Sequence, residues 1–317
     1  VIVVAGHLCL DIIPALGTGA ALQPGRLVEV GPASIVTGGA VSNVGLALYK
    51  LGASVRLVGR VGHDEFGKLL LGVLGNYGLA DSIARGKGPT SYTVVVSSAE
   101  QDRMFLHCPG CNDTFVSADV SDANLKGANH FHFGYPSLMA AMSANGGRET
   151  VALFQRAKKF GLTTSLDTSY PDVSSEQGLV DWKGLLGAVL PYVDMFLPSE
   201  DELGFMLPGV TGGVEELAIA CLDMGTDIVV IKRGEEGLYG IQRGEKGIRQ
   251  DCFNVEVVGT TGSGDATIAG FLYGMSRGFT FEHCLRAGCA VGAFSVEGAD
   301  AVSGIMPWEI VAARFFS

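Results

Sequence analysis

The stretch Gly259-Thr-Thr-Gly-Ser-Gly-Asp265 runs straight into the apolar segment Ala266–Arg277, and the fold and chemistry of the chain turn on it. Ala266–Arg277 has the composition of a helix, so Gly262, Ser263 and Gly264 fall at its N-terminal mouth. Glycine there leaves backbone N–H groups uncovered. Together with the helix dipole, those donors suit a phosphate whose charge grows during transfer. Asp265 then stands at the helix entrance, where its carboxylate could take the proton of an attacking hydroxyl. The same residues read equally as a glycine-rich turn with an aspartate cap. No Gly-Lys-Ser/Thr follows, so this is not a Walker A loop. Thr267 occupies the place of the last glycine in a dinucleotide fingerprint, so it is not that either.

Working outward, Gly38-Gly39-Ala-Val-Ser-Asn43 opens a second helix, in which Val44, Ala47, Leu48 and Leu51 share one face before Gly52 stops it. Paired glycines admit a ligand to the backbone, and Asn43 offers a donor and an acceptor to hydroxyls, or serves as a polar cap. The rest alternates. Val1–Gly6, Val55–Val58, Leu162–Asp167, Val193–Leu197 and Asp227–Lys232 read as buried strands; Glu149–Phe160 and Val214–Met224 read as helices closed by Gly161 and Gly225. That rhythm predicts a doubly wound α/β fold, a mostly parallel sheet with helices on both faces. Arg26–Ile35 and Ser91–His107 break it. Rich in Val, Thr and aromatics and without helical period, they predict strands outside the main sheet, a small β lid over one edge.

Composition narrows the partners. Of 317 residues, 47% are hydrophobic, and 33 acids against 22 bases leave a net charge of −11. Such a field repels nucleic acid and anionic membranes, though local amides still admit a compact anion such as a nucleotide. The apolar runs Val1–Gly6, Ala266–Met275 and Leu285–Val296 fall short of the about 20 residues that span a bilayer. As a signal sequence, the N-terminal apolar stretch is interrupted by Asp11 and has no basic region before it, and a cytoplasmic protein is expected. Seven cysteines, an odd number, fit reduced thiols, with Cys108-Pro-Gly-Cys111 read as a turn. His130 and His132 alternate and share one side of a strand. Mg²⁺ rarely takes imidazole, so they are expected as strand-end polar groups near the acceptor site.

The runs Gly38-Gly39…Asn43…Leu51-Gly52, Gly59-Arg-Val-Gly-His-Asp-Glu-Phe-Gly67 and Thr260-Thr-Gly-Ser-Gly-Asp265, in this order and at this separation, resemble the two signatures of the ribokinase/PfkB carbohydrate kinases. Asp11 after the first strand, Asp102-Arg-Met-Phe105, Pro198-Ser-Glu-Asp-Glu202 and Lys232-Arg-Gly234…Gly237 agree, so the resemblance covers nearly the whole chain. It implies one ribokinase-like α/β domain over 1–317, with lid strands from about 12–36 and 88–110 that often serve in homodimerisation. It also implies transfer from ATP with Mg²⁺ to a sugar hydroxyl. Asp265 would be the base and Gly262, Ser263 and Gly264 the anion hole. Asp11, Gly38, Gly39, Asn43 and Asp167 would stand on the acceptor side. Ser199, Lys232, Gly234, Gly237 and Gly298 would stand on the nucleotide side, and Glu202 would orient hydrated Mg²⁺. Gly259 replaces the acid that usually begins the second signature, so activation by a monovalent cation is not expected. Ser199 replaces the usual Asn and is expected to shift nucleotide binding. A nucleoside kinase of the same superfamily, and a sugar- or nucleotide-binding regulator of weak activity, are the alternative readings.

Overall fold

The computed structural model of the chain describes residues 1–17, 24–98 and 101–316. The strands are β1 (Ile2–Gly6), β2 (Cys9–Pro14), β3 (Ala33–Gly38), β4 (Val55–Val61), β5 (Ile83–Arg85), β6 (Tyr92–Ser98), β7 (Gln101–Cys108), β8 (His130–Gly134), β9 (Thr163–Asp167), β10 (Met195–Phe196), β11 (Ile228–Lys232), β12 (Leu238–Gln242) and β13 (Ile248–Gln250). The helices are α1 (Ala40–Lys50), α2 (Glu65–Asn76), α3 (Asp122–Leu125), α4 (Ala140–Lys159), α5 (Trp182–Val189), α6 (Glu200–Met206), α7 (Val214–Asp223), α8 (Ser263–Ser276), α9 (Phe281–Val296) and α10 (Trp308–Phe315).

A nine-stranded sheet runs in the order β13-β12-β11-β10-β9-β8-β1-β4-β5. It is parallel from β11 to β5, and β12 and β13 add an antiparallel edge. Alternate side chains of a strand leave opposite faces, and β1 shows what that does. Ile2 and Val4 enter a core with α1, α8 and α9, while Val3 and Ala5 enter a second core with α4, α5 and α7. A strand buried on both faces has no polar alternation, which is why Val1–Gly6 reads as a continuous apolar run.

The smaller sheet has the order β3-β2-β6-β7 and forms the lid. Its strands partly correct the expected spans: β3 begins only at Ala33, and residues 26–32 before it carry no strand. Gly31 and its flanking Pro32 punctuate that stretch, and the Gly31 N–H folds back onto Ala15 O at 2.8 Å. Residues 18–23 and 99–100 of the expected lid, and the side chains of Asp102 and Arg103, lie outside the described residues. The helix expected from Glu149 is the second part of α4, whose backbone breaks at Ala144–Gly147. The Gly59–Gly67 run serves the frame: Asp64 caps α2 and accepts the Thr90 N–H at 2.7 Å, tying the foot of the lid to the main sheet. Among the described residues no helix is long and apolar enough to cross a membrane.

Candidate active site

Parallel strands of an open α/β sheet gather functional groups beyond their carboxyl ends. Here His7 follows β1, Tyr135 follows β8, Asp167 ends β9, and Lys232 ends β11. Together with the lid and the mouth of α8 they bound a cleft of about 1440 Å³.

Asp265 sits at its centre, 3% exposed. It is the third residue of α8 and not the cap; that place belongs to Gly262, at φ 74°. A side chain at Gly262 would overlap Ala301 and strain the left-handed backbone, so glycine is required. The aspartate is instead held laterally: Asn43 Nδ2 donates to Oδ2 at 2.9 Å and the Tyr135 hydroxyl donates to Oδ1 at 2.6 Å. Burial raises the Asp265 carboxyl above the usual carboxylate range, while these two hydrogen bonds and the Lys232 ammonium pull it partly back. A raised, oriented carboxylate suits proton abstraction near neutral pH.

On the lid side, Asp11 comes from strand β2 and lines the cleft. It accepts from the Cys9 thiol at 3.3 Å, and burial pushes its carboxyl up to about 6. Gly38 lies behind it, where any Cβ would run into the Asp11 carboxylate. Gly39 and Asn43 line the cleft. Asn43 Oδ1 is buried without a hydrogen-bond partner.

His7 and His107 face each other across the gap between main sheet and lid, Nε2 to Nε2 at 3.3 Å. His7 thus meets the lid and not a backbone carbonyl. Burial drives both imidazoles below their usual range, His107 lowers His7 further, and both are neutral at pH 7. With Tyr135, whose ring centroid is 5.9 Å from that of His7, they form a ring-lined wall beside Asp265. No motif flags these three residues. The signal for Tyr135 is its place after β8, before Pro136, and the positive φ of 66° shows how tightly it is held.

On the opposite side Lys232 pairs with Asp167 at 2.6 Å, with Asp167 only 1% exposed. Burial opposes a charge on Lys232, but the carboxylates of Asp167, Glu202 and Asp265 outweigh it and hold the ammonium up. A Cβ on Gly264 would lie 4.0 Å from Lys232 Nζ, so the cation faces the Gly-Ser-Gly turn. Ser199 caps α6 in a capping box with Glu202, whose Oε2 accepts the Ser199 N–H at 2.9 Å and the Thr168 hydroxyl at 2.9 Å. Gly234 lines the cleft, while Ser263, Gly237 and Gly298 stand behind it. Gly237 abuts Gln250 O, and a side chain on Gly298 would strike the Gly304 N–H at 2.6 Å.

His130 and His132 do share one face, but both are buried against Ser165 Oγ, at 2.7 and 2.8 Å, and neither lines the cleft. They lie inside β8 and away from the cleft, where strand-end groups near the acceptor site were expected. All seven cysteines are free thiols. Among the described residues no three His, Cys, Asp or Glu side chains cluster to chelate a metal. The oxygen donors Glu200, Asp201 and Glu202 along the cleft fit a small hard cation that keeps most of its waters.

An uncharacterised sugar kinase of Archaeoglobus fulgidus is 28% identical over 261 residues, covering 82% of this chain and 98% of that protein. Fructokinase-2 of Oryza sativa subsp. japonica is 26% identical over 289 residues, covering 88% and 80%. Solved structures show the same fold over essentially whole chains. Ribokinase of Thermotoga maritima has a TM-score of 0.83 at 22% identity, covering 100% and 99%. Arabidopsis thaliana ribokinase, complexed with ribose and ATP, has 0.81 at 23%, covering 99% and 98%. The nucleoside kinase of Burkholderia thailandensis, in complex with inosine, has 0.78 at 17%, covering 99% and 97%. The model of the pfkB family carbohydrate kinases matches residues 2–308, and the chain belongs to that family.

Proposed function

We propose that the chain transfers the γ-phosphoryl group of ATP to a hydroxyl of a sugar or sugar-like alcohol. The observation that carries this reading is the meeting of Asp265, Asn43 and Tyr135 at the mouth of α8, in one cleft with Asp11 and Lys232.

Asp11 and Asn43 would hold acceptor hydroxyls, and Asp265 would take the proton as the acceptor oxygen bonds to phosphorus and ADP departs. Each Asp265 oxygen keeps a second lone pair for that proton beside its existing hydrogen bond. The Gly262–Gly264 amides and the α8 dipole would stabilise the equatorial oxygens of the migrating group. Lys232 would add a positive charge on the same side. Ser199, Gly234 and the turn that follows would border the nucleotide. Glu202, through water, would hold Mg²⁺, which when bound screens the phosphate charge. Half-exposed Ile35, Met104 and Leu106 supply an apolar lid surface that supports a homodimer.

A nucleoside acceptor is the second reading. The ring wall of His7, His107 and Tyr135 favours it, since neutral rings can stack on a base. Turnover of ATP with pentoses, hexoses and nucleosides tests both readings. Asp265→Asn is expected to lower kcat by about 10²–10⁴-fold on the best acceptor while leaving acceptor binding intact. Near-parent turnover in that variant refutes the base assignment.

A further inference from the structure

Asp113 belongs to none of the motifs read from the sequence, yet it lines the cleft. It sits in the single turn Gly110–Thr114 that follows lid strand β7. That turn is pinned from two sides: the Cys111 N–H donates to Pro89 O at 2.8 Å, and Asn112 Nδ2 donates to Leu8 O at 3.0 Å. Asp113 Oδ1 in turn accepts the Ala140 N–H at 3.0 Å, at the head of α4. The carboxylate is thus anchored to backbone. It has roughly four lone-pair sites, and this hydrogen bond takes up a single one of them.

Asp11, Asp113 and Asp265 bring carboxylates to one cleft from three elements: β2, the turn after β7, and α8. The cations that line it, among the described residues, are Lys232 and Arg233, both at the end of β11 on the opposite side. Each is already matched. Lys232 pairs with Asp167 at 2.6 Å, and Arg233 with Glu200 at 2.8 Å and Glu236 at 2.6 Å. Burial leaves the imidazoles of His7 and His107 uncharged at pH 7. Two buried residues of the same lining also hold a polar atom without a hydrogen-bond partner, Asn43 Oδ1 and His7 Nδ1. Such atoms are rare in a folded chain and call for a polar ligand or water.

We propose that Asp113 is a specificity-determining residue: it accepts from an acceptor hydroxyl other than the one that is phosphorylated. With Asp11 it confines the acceptor to uncharged polyhydroxy compounds and excludes sugar phosphates and sugar acids. The proposal rests on the kinase reading above and names the acceptor class for it. A sugar hydroxyl donates to a carboxylate, so each aspartate gains a partner when a free sugar binds. A phosphate ester near neutral pH carries about −1.5 to −2 charge and presents acceptor oxygens, so it meets these carboxylates with like charge and no proton to give.

The test compares ribose and fructose with their terminal phosphate esters at pH 8, where Asp11, held up at about 6, is ionised. Calorimetry without nucleotide gives affinities, and ATP turnover gives kcat/KM. Each free sugar should exceed its ester by about 100-fold or more in both measurements. Asp113→Asn keeps an oxygen for the Ala140 N–H and drops the charge. It should lower kcat/KM for the free sugar about tenfold, through KM, and narrow the gap between sugar and ester by at least about as much. KM for ATP and the unfolding midpoint should hold, because the bond to α4 survives; Asp113→Ala, which lacks that bond, should unfold earlier. An ester bound or turned over within about tenfold of its free sugar overturns the proposal. So does an Asp113→Asn chain whose ratio of sugar to ester matches the parent's. Calorimetry needs no catalysis, so a chain that selects the free sugars but never consumes ATP refutes the kinase reading and leaves the charge selection standing.

Discussion

Tyr135→Phe removes one oxygen and keeps the ring, the volume and the left-handed backbone at that position. The lost bond is the 2.6 Å donation to Asp265 Oδ1, one of the two side-chain hydrogen bonds that hold the carboxylate. Hydrogen bonds to a charged group contribute about 1.5–3 kcal/mol. Since about 1.4 kcal/mol is a factor of ten, the ratio of ionised to neutral Asp265 should fall roughly 10- to 100-fold at a given pH. The sign follows from the geometry. Tyr135 stabilises the charged carboxylate, so its loss adds to burial and moves the carboxyl higher still. A base must be ionised to accept a proton. The acid limb of kcat/KM against pH should therefore shift to higher pH, while the rate above the limb stays close to the parent value because Asn43 still orients Oδ2. Initial rates of ATP turnover from about pH 5 to pH 9 read the limb directly. If the variant's profile parallels the parent's at every pH, Tyr135 acts on acceptor binding alone and its role in holding the base is wrong.

Two other perturbations separate the charges of the site. Lys232→Met strands Asp167, and breaking a buried pair costs about 3–5 kcal/mol. Urea midpoints should show that deficit at neutral pH and a smaller one in acid, where Asp167 takes a proton; an equal deficit at both pH values refutes the pairing argument. Asp11 is held up at about 6 against an ordinary 3.8, so its burial cost is absent below the unfolded value, grows between the two, and is complete above about 6. That gap corresponds to about 3 kcal/mol. Asp11→Asn should therefore gain stability relative to the parent as pH rises through this window while losing acceptor affinity, and a constant difference between the two proteins across the window counts against it.

How much of this was legible in the sequence depended on whether a residue's partners were close in the chain. The parallel strands and the helices closed by Gly52, Gly161 and Gly225 announce themselves because burial on both faces leaves continuous apolar runs and glycine stops. The edge strands β12 and β13 do not, since Gly240 and the tight turn between them dilute the pattern. Residues 26–32 are strand-like in composition, but Pro24-Gly25 and Gly31-Pro32 decide their conformation locally. The mouth of α8 is readable because spacing alone sets a phosphate-sized row of amides. The wall made by His7, His107 and Tyr135 is not, because β1, β7 and β8 bring its members together only through tertiary packing. His130 and His132 show the converse: alternation correctly places them on one face, but which face is covered depends on helices that follow much later.

The bond between Asn43 and Asp265 spans 222 residues of chain. At about 5–20 residues per second, a ribosome takes roughly 10–45 s to pass from one to the other. For that interval Asn43 is without the carboxylate that it donates to in the folded chain. The arrival of α8 therefore does two things near the end of synthesis: it brings Asp265 to Asn43, and with α9 it closes the core against α1.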